Sequence, residues 1–301
     1  MQVKNELVSV VIPTFGRCEY LARTIRSVLS QTYTNIEAVI VDDNGKGSSQ
    51  GAKTAKLMST FSDDSRVKYV QHEHNLNGSA ARNTGISVAR GSYIAFLDDD
   101  DEFCQNKISL QVEMLEQSKD VSAVYCLNSK FYNGNMIQTT SYSSNGDCQL
   151  DVFCLKTEIH TSSLLIHKKV LVELNGFDTD FARHQDFEFL IRFFENNKIA
   201  CLPQVLLKVN VESTINRPDV DKLIAAKEVF FRKLEEIFNK FDAEQKERIL
   251  KAHNFELFRV CLKNMDMRFI KFIWRSKPNY SDLMTYFYPP LVKYIKMFLR
   301  R

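Results

Sequence analysis

The chain has 301 residues, 44% hydrophobic and 26% charged with a net charge of +3, which is the balance of a globular protein built as one large domain or one domain plus an appendage. Seven scattered cysteines, without C-x-x-C spacing or a Cys/His cluster, exclude a disulfide scaffold or a zinc site and fit a reducing, cytoplasmic setting. Residues 1–7 carry no apolar signal core, and the absence of any uncharged apolar run of about 18 residues excludes a membrane-spanning helix.

Val8–Ile12 reads as a buried strand stopped by Pro13, and the spacing of Leu21, Ile25, Val28 and Leu29 predicts a helix over 18–31. Apolar runs at 36–41 and 67–70 predict two more strands, and a helix over 79–89 leads to a strand at 93–97. This alternation predicts an α/β fold with a mostly parallel sheet covered by helices on both faces, whose ligands bind beyond the carboxyl ends of the strands. The middle of the chain is less regular. It offers apolar runs at 121–125, 163–166 and 200–209, a hairpin turn at Asn133-Gly134-Asn135, and helices over 168–174 and 186–196. Beyond Pro218 the pattern is helical, which divides the chain into a domain over 1–217 and a helical extension over 218–301.

Chemistry concentrates at strand ends. Asp98, Asp99, Asp100 and Asp101 follow an apolar strand directly, and four adjacent carboxylates repel one another unless a cation offsets them. Alternate members, Asp98 and Asp100, can converge on one divalent ion, with magnesium or manganese suiting oxygen ligands and phosphates completing the shell. A solvated acidic loop capping a helix near Cys104 gives the same pattern. Asp42 and Asp43 form a second acidic strand end, although Asp-Asn-Gly is also ordinary turn chemistry. Arg82 falls in the first turn of its helix, where free backbone N–H groups already favour anions; it can meet a phosphate or a carboxylate of the aspartate run.

Val8–Arg17 (VSVVIPTFGR), the VDD at 41–43, NGSAARNTGI at 77–86 and FLDDDDEF at 96–103 together resemble the family-2 glycosyltransferases, and the likeness runs in order to about residue 210. The resemblance implies the GT-A fold and an inverting sugar transfer from a UDP-sugar, assisted by Mn2+ or Mg2+. It implies that Pro13, Thr14 and Arg17 line the nucleotide pocket and that Asp42 or Asp43 holds the uracil or ribose. It makes Asp98 and Asp100 the Asp-x-Asp pair and sets Arg82 beside the diphosphate, with Asp99 a neighbour in the same pocket. The family's base is the Asp of a Glu-Asp pair after a Gly-Gly-Phe-Asp stretch; here the stretch is Asn175-Gly176-Phe177-Asp178 and the pair is Gln185-Asp186, which makes Asp186 the base. An N-cap role for Asp186 is the alternative. Gln185 departs from the family, as does the absence of a histidine after the last strand, where Asn210 or Glu212 stand instead. His160 and His184 lie close to these motifs as acceptor-side candidates or structural histidines.

In residues 219–301, 18 Lys/Arg face 11 Asp/Glu, and 22 face 26 before them. A basic tail ending in Pro290–Arg301 points to a peripheral contact with an anionic bilayer at the inner face of the cell membrane; docking on another subunit or a solvated helical face fits the same pattern. The acceptor expected from family habit is a glycan of surface polysaccharide synthesis, lipid-linked or free, with no nucleic-acid partner. A nucleotidyltransferase or dehydrogenase would carry a Gly-rich loop after the first strand, where this chain has Pro13-Thr14-Phe15-Gly16-Arg17. A non-catalytic sugar-nucleotide-binding scaffold is the reading that Gln185 alone favours.

Overall fold

The structure, a computed structural model, describes residues 5–181, 183–211, 219–276 and 278. In chain order these form β1 (Val8–Thr14), α1 (Cys18–Leu29), β2 (Ile36–Asp42), α2 (Ser49–Met58), β3 (Val67–Gln71), α3 (Gly78–Val88), β4 (Tyr93–Phe96), β5 (Glu102–Phe103) and α4 (Lys107–Gln117). There follow β6 (Ala123–Tyr132), β7 (Asn135–Thr139), α5 (Gln149–Phe153), β8 (Leu164–His167), α6 (Lys168–Glu173), α7 (Gln185–Phe193) and β9 (Ile199–Asn210). The later helices are α8 (Val220–Lys233), α9 (Glu235–Asn239), α10 (Ala243–Lys263) and α11 (Phe269–Ser276).

One sheet runs β3-β2-β1-β4-β8-β6-β9-β5, with β7 paired to β6. The first four strands are parallel, whereas β8 runs antiparallel to both β4 and β6. Burial on both faces explains the unbroken apolar runs: every residue of β2 is buried, as is every residue of β1 except Pro13. The strand β1 continues through Pro13 to Thr14, beyond the stop expected at proline. Pairing with β4 ends at Val11, so Pro13 lies where that side of β1 has no neighbour to receive an N–H. Gly85 lets α3 lie close on β1, since a β-carbon there would come within 2.2 Å of Val11 Cγ1.

Two elements escape the apolar pattern. The helix α2 is polar along most of its length and is started by Ser48, whose Oγ accepts from Gly51 N at 2.9 Å. The strand β6 outruns its apolar stretch by seven residues because β7 and β9 pair with its polar end. The turn between β6 and β7 is the expected one, with Asn133 at φ 48° and Gly134 at φ 76°.

The chain divides into two compact units, residues 1–152 with 157–214, and residues 153–156 with 215–301. The boundary expected at 217, Glu212 and the basic tail 290–301 fall outside the described residues. In the second unit, Val220, Leu223, Leu257, Phe258, Cys261 and Phe272 form a core. Beside them Lys227 bonds His253 Nδ1 at 2.7 Å and pairs with Glu256. All seven cysteines are free, and no helix among the described residues is long and apolar enough to cross a membrane.

Candidate active site

The aspartate run lies between β4 and β5, beyond the carboxyl end of β4, where Leu97 N still donates to Val11 O of β1 at 3.0 Å. Its backbone is clamped from three sides. Thr24 Oγ1 lies 2.9 Å from the carbonyls of both Asp99 and Asp101, Arg23 Nη2 donates to Asp100 O at 2.9 Å, and Asp98 N donates to Ser162 Oγ at 3.1 Å. From the end of β9, Asn210 donates through its backbone N to Asp101 Oδ1 at 3.0 Å and through Nδ2 to Asp100 O at 2.8 Å. Asn210, which stands where the family has a histidine, thus clamps the loop through its backbone N and Nδ2.

The four carboxylates are held separately. Asp98 Oδ1 accepts from Arg82 Nη2 at 2.9 Å, and Asp100 Oδ2 accepts from Arg17 Nη1 at 2.5 Å. Asp99 is buried against the end of β1, where Oδ2 accepts from Thr14 Oγ1 at 2.7 Å and Phe15 N at 3.2 Å. Asp98 and Asp100 are thus each paired with a different arginine. Burial pushes Asp99 up to about 7, with the Asp100 charge adding to it and the Thr14 hydroxyl opposing it. Asp101 is raised too, by burial first and then by Asp98 and Asp100.

This crowding tests the fit of a divalent cation. Negative charge exceeds what two arginines offset, so much so that burial and repulsion favour protons on Asp99 and Asp101. Asp98 Oδ2 makes no hydrogen bond among the described residues. No three His, Cys, Asp or Glu side chains group as a complete metal site among those residues. A carboxylate pair with the remaining oxygens from phosphate and water is how Mg2+ and similar hard ions are commonly bound, so the donor set fits.

Asp42 and Asp43, expected to meet a base or ribose, are already saturated. Asp42 accepts from Asn44 N and Nδ2 on one oxygen and from Tyr69 Oη and Gln71 Nε2 on the other, at 2.6–3.0 Å. Asp43 bonds His72 Nδ1 and Leu76 N through Oδ1, and Asn75 Nδ2 and Asn77 N through Oδ2, at 2.7–3.0 Å. Both carboxylates order the loops around them, and a nucleoside meets either only by displacing a protein donor.

The start of α3 brings the distant motifs together. Asn77, at φ 84°, caps the helix by accepting from Ala80 N at 3.1 Å. One turn on, Arg82 donates to Asp98 and, from Nη1, to Gln185 Oε1 at 3.2 Å; its guanidinium lies 5.6 Å from the centre of the Phe177 ring. The buried Arg82 Nε has no hydrogen-bond partner among the described residues. Asn83 next to it brackets Phe177, with Nδ2 donating to Phe177 O at 2.7 Å and Oδ1 accepting from Phe177 N at 2.8 Å. Gly176, at φ 65°, is required there because a β-carbon would come within 2.2 Å of Asn83 Oδ1. Phe177 then packs on Phe96 of β4 and Phe189 of α7 at 5.3 and 4.7 Å. Sequence reasoning missed Asn83, although it lies inside NGSAARNTGI; its partner is 94 residues away and no local spacing reports it.

Gln185 and Asp186 open α7, after His184 in a left-handed conformation (φ 64°) with its ring stacked on Phe187. Asp186 is raised by burial, against the opposing pull of the Phe187 backbone and the charges of Arg82 and His160. His160 leads into the turn Thr161–Ser163 and lies within electrostatic reach of Asp186 and Asp98; burial first, then Lys130, lowers its pKa. The structure therefore gathers Arg82, Asp98, Gln185, Asp186 and His160 at one place, and Thr14, Arg17, Asp99 and Asp100 around the end of β1. Asp178 only turns the chain, accepting from Asp180 N at 2.9 Å.

The profile of glycosyl transferase family 2 matches residues 9–173, more than half of the chain. An uncharacterized glycosyltransferase of Methanocaldococcus jannaschii is 28% identical over 223 residues, covering 71% of this chain and 74% of the relative. The amylovoran biosynthesis glycosyltransferase AmsB of Erwinia amylovora is 28% identical over 198 residues, covering 63% and 64%. A glycosyltransferase of Rickettsia conorii is 31% identical over 222 residues, but the match spans only 35% of its length. Among solved structures, S. aureus TarS 1-349 in complex with UDP superposes with a TM-score of 0.57 at 15% identity, over 90% of this chain and 88% of that one. The same TarS fragment in complex with UDP-GlcNAc gives 0.58 at 14% identity. The fold is that of TarS, with the sheet flanked by helices and followed by further helices.

Proposed function

This chain belongs to glycosyl transferase family 2 and is a glycosyltransferase, and on that premise we propose that it transfers a sugar from a UDP-sugar to a hydroxyl of a glycan acceptor, with inversion and with a divalent metal. The observation that carries the reading is the meeting of Arg82, Asp98 and the Gln185-Asp186 pair, which sets an anion-binding cation beside a buried carboxylate. The UDP complexes of the structural neighbour support the donor class, and the relative named for amylovoran biosynthesis supports a polysaccharide product.

In this mechanism the Asp186 carboxylate takes the proton from the acceptor hydroxyl, whose oxygen attacks the anomeric carbon as its bond to the diphosphate breaks on the opposite face. UDP departs with the bonding electron pair. Arg82 sets its positive charge beside the diphosphate, and Arg17, Pro13 and Thr14 border the nucleotide at the end of β1. Asp98 and Asp100 would hold Mn2+ or Mg2+, which when bound offsets charge gathering on the leaving diphosphate. Asp42 and Asp43 would touch the nucleoside by exchanging one of their present donors for it. His184 and Gln185 stand on the acceptor side of the base.

We place the reaction in the cytoplasm, which seven free cysteines support, with the basic tail meeting the inner membrane face. The test is UDP release from a panel of UDP-, GDP- and dTDP-sugars with manganese or with chelator. Release from UDP-sugars alone, abolished by chelator, is expected. Turnover confined to another nucleotide, or undiminished by chelator, sinks the donor or the metal part respectively.

A further inference from the structure

The strand β6 carries a cation that the protein leaves unmatched. Lys130 stands near the end of β6, opposite Val209 of β9 and Gln138 of β7, at the same end of the sheet where Asn210 clamps the aspartate loop. It is partly buried, yet makes no hydrogen bond or ion pair among the described residues. The Glu158 carboxylate is taken up from β7 and the loop after it, by Gln138 Nε2 at 3.4 Å and Ser141 N at 3.2 Å. Two residues after Glu158, the His160 imidazole also makes no hydrogen bond among the described residues, and it lies within electrostatic reach of Lys130 on one side and Asp186 on the other.

The Lys130 ammonium keeps three donors with no protein acceptor among the described residues and is open to solvent, so an anion reaches it by displacing water. A second, adjustable donor, the His160 ring, lies within electrostatic reach of it. We propose that Lys130 and His160 form a subsite for an anionic group, phosphate or carboxylate, carried by the sugar acceptor and seated beside Asp186. The proposal rests on Asp186 being the base of a glycosyl transfer. Sheet order sets Lys130 apart from the donor: the nucleotide side is β1 and β4, and β6 lies two strands beyond β4, a displacement of about 10 Å at ordinary strand spacing, while His160 lies between, within electrostatic reach of Asp98 and Asp186. The donor diphosphate has Arg82 in the proposed function, which leaves Lys130, without a protein acceptor among the described residues, to a different anion. An acceptor class of phosphorylated or acidic glycans follows.

The test follows the His160 ring signal by NMR in the full chain, assigned with His160→Gln, while inorganic phosphate is titrated in with and without saturating UDP and Mg2+. The expected result is a saturable shift, with the His160 midpoint raised by bound phosphate, that persists in the presence of UDP. In Lys130→Met, phosphate affinity should fall about tenfold or more, the scale of a hydrogen bond between charged groups. Lys130→Arg should restore it, with matching melting curves showing that all variants fold. Glucuronate in a parallel titration separates an acidic sugar from a phosphate by which of the two binds more tightly. No response to either anion, or a response that UDP abolishes, overturns the subsite. UDP binding is measured by calorimetry on the same samples; its failure beside an intact phosphate response would fault the donor reading and leave the subsite standing.

Discussion

Arg82 of α3 donates from Nη2 to Asp98 Oδ1 at 2.9 Å while its Nη1 reaches Gln185 at the start of α7, so one planar fork ties the aspartate run to the base-bearing helix. Lysine keeps the charge but cannot span both partners or spread over the Phe177 ring. Arg82→Lys should therefore lower kcat/KM by about 10- to 100-fold, the scale of losing a hydrogen bond to a charged group, with the melting temperature little changed. Steady-state UDP release beside a melting curve checks this. Unaltered kinetics would remove Arg82 from the diphosphate side.

Gln185 gives Arg82 a neutral acceptor where the family's usual Glu would give a charged one. Gln185→Glu adds a carboxylate next to Asp186, and a like charge raises a neighbour's pKa. The acid limb of the pH–rate profile should move to higher pH, with donor KM altered because Arg82 is drawn from Asp98. A profile that superposes on wild type would mean that the side chain at 185 faces away from the base.

Burial already raises Asp186 above the ordinary carboxylate range, and a base works only when ionised. Transfer should thus fall as pH drops, with its acid limb above about 4, the value of an unperturbed aspartate. Asp186→Asn should cost about 100- to 10,000-fold in transfer rate, the range for a general base, with UDP affinity held by calorimetry. Residual transfer at a tenth of wild type would hand the role to another group.

The sheet was legible because β1, β2 and β4 are buried on both faces and so spell unbroken apolar runs. The polar half of β6 was not, since what makes it a strand is pairing with β7 and β9 rather than its own composition. The helix α2 was missed for a related reason: its start signal is a single serine and its outward face is polar. At the site, Asp98, Arg82 and Asp186 could be named from motifs, but the pairing of each carboxylate could not. Which arginine takes which aspartate depends on side chains that meet across 83 residues for Arg17 and 16 for Arg82. Asp42 and Asp43 were read as open acceptors because their saturating partners, Tyr69, Gln71, His72 and Asn75, lie on β3 and the loop after it.

The bracket of Asn83 around Phe177 is what sets α3 and α7 in register with β4. Asn83→Ala removes both bonds and leaves the Phe177 N–H and C=O short of partners in a partly buried place. A loss of about 1–3 kcal/mol per unsatisfied group is the ordinary scale, so chemical denaturation should show a clear fall in stability, with activity reduced alongside. Stability within error of wild type would show that the bracket follows the packing of Phe177 on Phe96 and Phe189 instead of fixing it.

Asp99 offers a measurement on the protein without metal. Burial holds its pKa at about 7, whereas the unfolded chain releases that proton near the ordinary aspartate value of about 4. Between those limits the folded state binds more protons than the unfolded state, so stability must fall as pH rises. The contribution is fully present below about pH 4 and lost by about pH 7. Asp101, raised by burial and by Asp98 and Asp100, pushes in the same direction, so the wild-type slope alone assigns nothing to one residue. Asp99→Asn isolates it: asparagine can still accept from Thr14 Oγ1 and Phe15 N but has no proton to lose. With chelator present, the wild-type melting temperature minus that of Asp99→Asn should decline from pH 4 to pH 7. A difference that stays flat across that window would mean that Asp99 is ionised throughout, held so by the Arg17 guanidinium 3.7 Å from its Oδ1.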